Sequence, residues 1–181
     1  MEALLVALGA LLGFVLSTGY AEFREWRARR SARAALRQEL QLNQRLLFQA
    51  LDTMRRILSS IAEGSVLPWG NVPFLTTAYE DWRKRDVRAT PKEVASLHVI
   101  YGYQEAIDVI LRQRSEAFMA ARGTPQEGVA ADNYLSSVHD LVATAERAID
   151  LLEHHMAGNP VDVAHTDVPL PQLRRSALNR S

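Results

Sequence analysis

Five histidines, His98, His139, His154, His155 and His165, and 21 carboxylates are the side chains on which metal or acid–base chemistry in this sequence would have to draw. Carboxylate-bridged metal sites in helical bundles use inward Glu-x-x-His pairs, so that both ligands project from one helix face toward the same ion. None of the five histidines has a glutamate three residues before it. Asp150 and His154 stand at i and i+4, with His155 beside them, and this two-ligand fragment reads as a solvated polar face. There is no glycine-rich phosphate loop, no G-x-S-x-G elbow and no H-E-x-x-H element; the 9 glycines are scattered. With no cysteine, disulfides, thiolate metal sites and cysteine nucleophiles are excluded. The sequence thus predicts no catalytic residue, no cofactor and no metal site, and its information concerns placement and interaction.

That information is concentrated at the amino terminus. Residues 3–21 form the longest run without a charged side chain. At about 1.5 Å per residue the run makes a helix of roughly 28 Å, close to the ~30 Å hydrocarbon thickness of a bilayer. Its leucines, valines and Phe14 favour insertion by about 3–5 kcal/mol together, partly offset by three glycines and two hydroxyls. A cleaved secretory leader would carry a basic segment ahead of the apolar one, and only Glu2 and the α-amino group precede it here. A buried core helix would carry a polar stripe, which this run lacks. The expectation is a single transmembrane anchor over residues 1–23. Gly9 and Gly13 have the G-x-x-x-G spacing that lets membrane helices approach closely, so they are candidates for a helix–helix contact and for homo-oligomerisation.

The segment after the run sets its orientation. Between residues 22 and 37 stand Arg24, Arg27, Arg29, Arg30, Arg33 and Arg37 against only Glu22 and Glu25, while no basic side chain precedes the run. The positive-inside rule places the remainder of the chain in the cytoplasm and the amino terminus outside. Tyr20, Phe23 and Trp26 fall where amphipathic rings prefer the headgroup layer, and each arginine near anionic lipid adds about 1 kcal/mol of attraction. Tyr20, Phe23, Trp26, Arg24, Arg27, Arg29 and Arg30 are therefore the candidate membrane-interface residues.

Beyond the anchor, the sequence predicts an all-α fold: a transmembrane helix continuing into a cytoplasmic antiparallel three- or four-helix bundle. From Phe23 to Ala62 there is neither Pro nor Gly, so anchor and first bundle helix read as one helix. Within it Leu36, Leu40, Asn43, Leu47, Leu51, Met54, Leu58 and Ile61 recur at three- and four-residue steps, a buried seam interrupted by Asn43. Residues 65–75 read as a loop from Pro68, Gly70 and Pro73, but an unusually apolar one. It is expected either to cap the open end of the bundle or to offer Trp69 and Phe74 as a partner patch. Thr77, Thr90 and Thr124 are each followed three residues later by Glu, the capping-box spacing, which predicts helices from about Ala78 to Arg85, from Pro91 to Arg122, and from a start between Pro125 and Asp132. Inward positions of the second are Val94, Leu97, Tyr101, Ile107, Ile110, Leu111 and Phe118. Those of the last are Leu135, Val138, Val142, Ala145, Ile149, Leu152 and Met156. Gly158, Asn159 and Pro160 end it, and residues 159–181 read as a disordered tail. The predicted divisions are thus 1–23, 24–63, 64–158 and 159–181.

Lys and Arg total 21 and Asp and Glu total 21, so the folded part has no basic excess of the kind a nucleic-acid binder carries. Only Lys84 and Lys92 are lysines, a bias that with abundant Ala and Leu suits a high-GC bacterial genome. The anchor, the arginine collar and Leu36-x-x-Glu39-Leu40-x-x-Asn43 together resemble a broad group of uncharacterised bacterial single-pass proteins that carry a small all-α domain. The resemblance covers residues 3–60 and implies a tethered helical domain in the bacterial inner membrane, with no catalytic residue. The predicted role is a membrane-tethered interaction module, with membrane lipid, an unidentified protein and a second copy of the chain as partners. An oligomerising membrane effector acting through Gly9 and Gly13 is the alternative, and a metal-dependent bundle enzyme a remote one.

Overall fold

A computed structural model describes residues 2–60, 65–85 and 89–160, with the backbone alone for residues 2–15. Four helices and no strand are found among them: α1 (Glu2–Ser60), α2 (Thr77–Lys84), α3 (Pro91–Ala121) and α4 (Glu127–Met156). The long first helix follows from the uninterrupted stretch of good helix formers after Gly19. The chain divides into two compact units. The first comprises residues up to Gln38 with Thr77–Val87, and the second comprises the described residues of Glu39–Thr76 and Arg88–Ser181. The short helix α2 therefore belongs with the amino-terminal part of α1 and is not an element of the second unit, where a four-helix bundle would have put it. In the first unit Tyr79 and Trp82 of α2 are buried and stack, with ring centroids 6.2 Å apart.

The second unit is a bundle of three helices, and its hydrogen bonds give their directions. Phe118 of α3 stacks on Tyr134 of α4 at 5.8 Å beside the connecting turn, while Ser96 meets His155 at the far end, so α3 and α4 run antiparallel. Gln44 bonds Glu153 and Arg55 bonds Glu146, so α1 is antiparallel to α4, and Glu39 and Asn43 meet Tyr101 and Gln104 in the order that makes it parallel to α3. The core between them contains Leu40, Leu47, Leu51, Met54, Leu97, Ile100, Ile107, Leu111, Val138 and Leu152. Ala50, Ala106, Ala145 and Ala148 are buried as well, and their small side chains let the helix backbones approach.

The helix ends are built unequally. At α3 the capping box forms in full: the Thr90 hydroxyl accepts from the Glu93 N–H at 3.2 Å and the Glu93 carboxylate accepts from the Thr90 N–H at 2.7 Å. The two other Thr-x-x-Glu sequences do not do this. Thr77 is already the first helical residue of α2, and at α4 the Glu127 carboxylate instead accepts from Gly123 N–H while the Thr124 hydroxyl donates back to the Ala121 carbonyl. The tight turn takes precedence there because Gly123 adopts φ 77°, which directs its N–H toward the following helix. Gly158, at φ 82°, closes α4 with its N–H on the His155 carbonyl and that of Asn159 on His154. The expected tail falls, beyond residue 160, outside the described residues.

Six expected core positions are corrected. Val94 is exposed, and Leu58, Ile110, Leu135, Val142 and Met156 are half-buried, with Ile57 and Leu141 buried beside Leu58 and Val142; Ile61 lies outside the described residues. A helix touching two neighbours buries a stripe wider than a three–four seam, and the centre of that stripe lies one residue away from where the leucines and valines suggest.

Candidate functional site

Two groups of side chains stand out, one in each unit. In the first, Leu16, Tyr20, Phe23 and Trp26 are 68%, 65%, 54% and 53% exposed, which is unusual for four large apolar residues in one short stretch of helix. Phe23 and Trp26 stack at 5.9 Å, and the Arg30 guanidinium lies over the Trp26 ring at 5.4 Å, a cation–π contact. Arg24, Arg27 and Arg30 are exposed, whereas Arg29 is half-buried and pairs with Glu25 at 2.9 Å. The candidate interface residues are thus together on one helical segment. Gly9 and Gly13 lie in the helical backbone of α1, but their surroundings fall outside the described residues. Among the described residues no helix is long and apolar enough to cross a membrane, and residues 3–15 of the apolar run are not described beyond their backbone.

The second group holds the loop of residues 65–76 against the bundle. At one end the Tyr134 hydroxyl donates to the Leu67 carbonyl at 3.1 Å and the Trp69 N–H donates to Ser115 Oγ at 2.9 Å. Burial pushes the Tyr134 phenol up to about 12, with the Ser115 hydroxyl pulling against it. At the other end Asn43, fully buried, accepts from the Leu75 N–H at 2.8 Å and donates to the Leu75 carbonyl at 2.7 Å and to Gln104 Oε1 at 3.1 Å. Ser115 and Gln104 are three turns apart on α3, about 16 Å, a distance the six residues from Trp69 to Leu75 span when extended. The loop therefore runs lengthwise along the bundle, taking the place of a fourth helix, where a cap over the open end was expected. Its apolar residues face accordingly: Trp69 is 8% exposed and Phe74 half-buried, so Trp69 is part of the core and not of a partner patch, while Leu67 and Leu75 are the exposed ones. Asn43 breaks the seam because it hydrogen-bonds the loop backbone and Gln104, the interior use of a polar seam residue.

A third polar contact, between Glu39 and the Tyr101 hydroxyl at 2.6 Å, is also buried. Neither it nor Gln104, Ser96 and Ser115 is legible as core from periodicity, which assigns polar residues to the surface; the signal available was their placement at inward steps beside Leu97, Ile100 and Ile107.

The Asp150–His154 fragment turns outward. His154 Nδ1 lies 2.8 Å from the Asp150 carbonyl oxygen, Asp150 takes an ion pair from Arg147 at 2.8 Å, and among the described residues no three His, Asp or Glu side chains could hold a metal ion. His155 turns inward instead, with Nδ1 3.2 Å from Ser96 Oγ. Burial lowers its pKa below the usual histidine value, against a weaker upward pull from Glu93. A histidine harder to protonate in the folded state leaves the unfolded chain binding more protons as pH falls through its unfolded value of about 6.5, so its contribution is intact above that pH and shrinks below it. The midpoint of urea unfolding is accordingly expected to fall between about pH 7.5 and 5, and His155→Gln to flatten that segment of the profile. An unchanged slope in the variant would mean that other groups carry the pH dependence.

Neither a known protein family, nor a characterised protein, nor a solved structure matches this chain.

Proposed function

We propose that this chain is a membrane-tethered helical interaction module, non-catalytic, anchored by residues 3–21 in a bacterial inner membrane with its amino terminus outside and its bundle on the cytoplasmic face. The observation that carries this reading is the uncovered row of Leu16, Tyr20, Phe23 and Trp26 at the end of an apolar run, followed directly by exposed arginines. Four large apolar side chains in water are unfavourable by about 1.5–3 kcal/mol each relative to full burial, and a bilayer interface relieves that cost without any protein contact. The arginine asymmetry across the run supplies the orientation. The bundle's polar node fixes the loop along its side and so presents one defined surface to an unidentified protein partner.

Reporter fusions at Ser181 test the orientation. A reporter that folds only in the cytoplasm is expected to be active there, and replacement of Arg24, Arg27, Arg29 and Arg30 by Glu is expected to weaken the bias. Activity at Ser181 of a reporter that works only outside the cytoplasm would reverse the assignment.

A further inference from the structure

We infer that the aromatic and basic face of α1 over residues 16–30 selects anionic lipid from its surroundings, an inference that rests on the tether reading above. At about 100° per residue, Leu16, Tyr20, Phe23, Trp26, Arg27 and Arg30 fall within a sector of roughly 120°. Glu25 falls nearly opposite, where it neutralises Arg29 through a 2.9 Å ion pair, and Glu22 also lies off the face. A span held only by its hydrophobic length needs no such asymmetry, because lipid surrounds it on every side. Here Arg27 and Arg30 share one side with the rings, with Arg24 about 40° beyond its edge, so apolar contact and positive charge meet the same lipids. The contact between Trp26 and Arg30 ties the two together: with the guanidinium over the ring at 5.4 Å, the depth at which the indole settles is the depth at which the charge is offered. That depth is the headgroup layer, where a lipid phosphate accepts hydrogen bonds from a guanidinium fork. The partner this chemistry fits is a phosphatidylglycerol-like anionic headgroup in a bilayer, in preference to a zwitterionic one.

Quenching of tryptophan fluorescence by brominated lipid reads the composition of the lipid next to Trp26, and the other two tryptophans, Trp69 and Trp82, are buried and give a nearly constant background. The full chain is reconstituted in equal mixtures of phosphatidylcholine and phosphatidylglycerol, with bromine on one lipid or on the other. Quenching by the brominated phosphatidylglycerol is expected to be stronger, corresponding to roughly threefold local enrichment at low salt, declining as salt rises. The double variant Arg27→Gln, Arg30→Gln is expected to remove the difference while leaving total quenching in place. Equal quenching by the two lipids in the unaltered chain, or an undiminished difference in the variant, overturns the inference and leaves the tether standing. Absence of quenching by either lipid overturns both.

Discussion

Asn43→Ala is expected to destabilise the bundle by about 2–4 kcal/mol, a large fraction of the stability of a small domain. The amide makes three hydrogen bonds, two to the backbone of Leu75 and one to Gln104, and is itself fully buried. Truncation leaves these partners unequally placed. Leu75 is partly exposed, so its N–H and carbonyl can recover water if the loop lifts. Gln104 is 1% exposed, and its Nε2 has no hydrogen-bond partner among the described residues, so the bond from Asn43 is what its side-chain amide has in the interior. Asn43→Asp is expected to be at least as damaging, since it replaces the donor to two oxygens by a third oxygen. Urea unfolding followed by circular dichroism measures the loss, and the Trp69 emission maximum reports whether the loop has left the bundle. A change below about 0.5 kcal/mol would show that the node is incidental to stability.

Leu47→Ala is expected to cost about 2–5 kcal/mol, and Phe48→Ala, one residue on, less than about 0.5. The pair is informative because the residues are neighbours in sequence and opposites in the fold. Leu47 is fully enclosed, whereas Phe48, the larger and more apolar-looking, is 45% exposed on the outer side of the same helix. Truncating Leu47, 0% exposed, removes buried methyl groups and leaves a cavity that a close-packed interior fills only by moving helices. Both variants can be compared in the same unfolding series, with an unchanged denaturant slope as the sign that only stability has altered. Equal costs at the two positions would mean that α1 presents a different face to the bundle from the one described.

Much of this architecture is legible in the residues because it rests on local chemistry. The Thr90–Pro91–Glu93 start and the glycines at 123 and 158 mark helix boundaries through hydrogen bonds and dihedral angles that act over a few residues. The seam Leu36–Leu40–Asn43–Leu47–Leu51–Met54 is buried at every step because a single helix face suffices to define it. What is not legible depends on partners remote in sequence. That Trp69 is core follows from Ser115, 46 residues away, accepting its N–H. The burial of Leu141 ahead of Val142 depends on the direction from which two other helices approach α4, and side-chain periodicity weighs both residues alike. Likewise Glu127 satisfies every sequence criterion of a capping glutamate and is diverted by the conformation of Gly123. The candidate membrane-interface residues are read from type and order alone, and the structure adds that Arg29 differs from its neighbours by its pairing with Glu25.

Extraction of membranes at alkaline pH tests the proposed anchoring of the chain in a bilayer by residues 3–21. The full chain is predicted to remain in the membrane pellet after a carbonate wash that strips peripheral proteins. Replacing Leu8 and Leu12 by Arg, which adds about 2.5–3.5 kcal/mol each to the cost of insertion and so exceeds the gain available from the run, is predicted to move it to the supernatant. Recovery of the unaltered chain in the carbonate supernatant would mean that residues 3–21 do not span a bilayer.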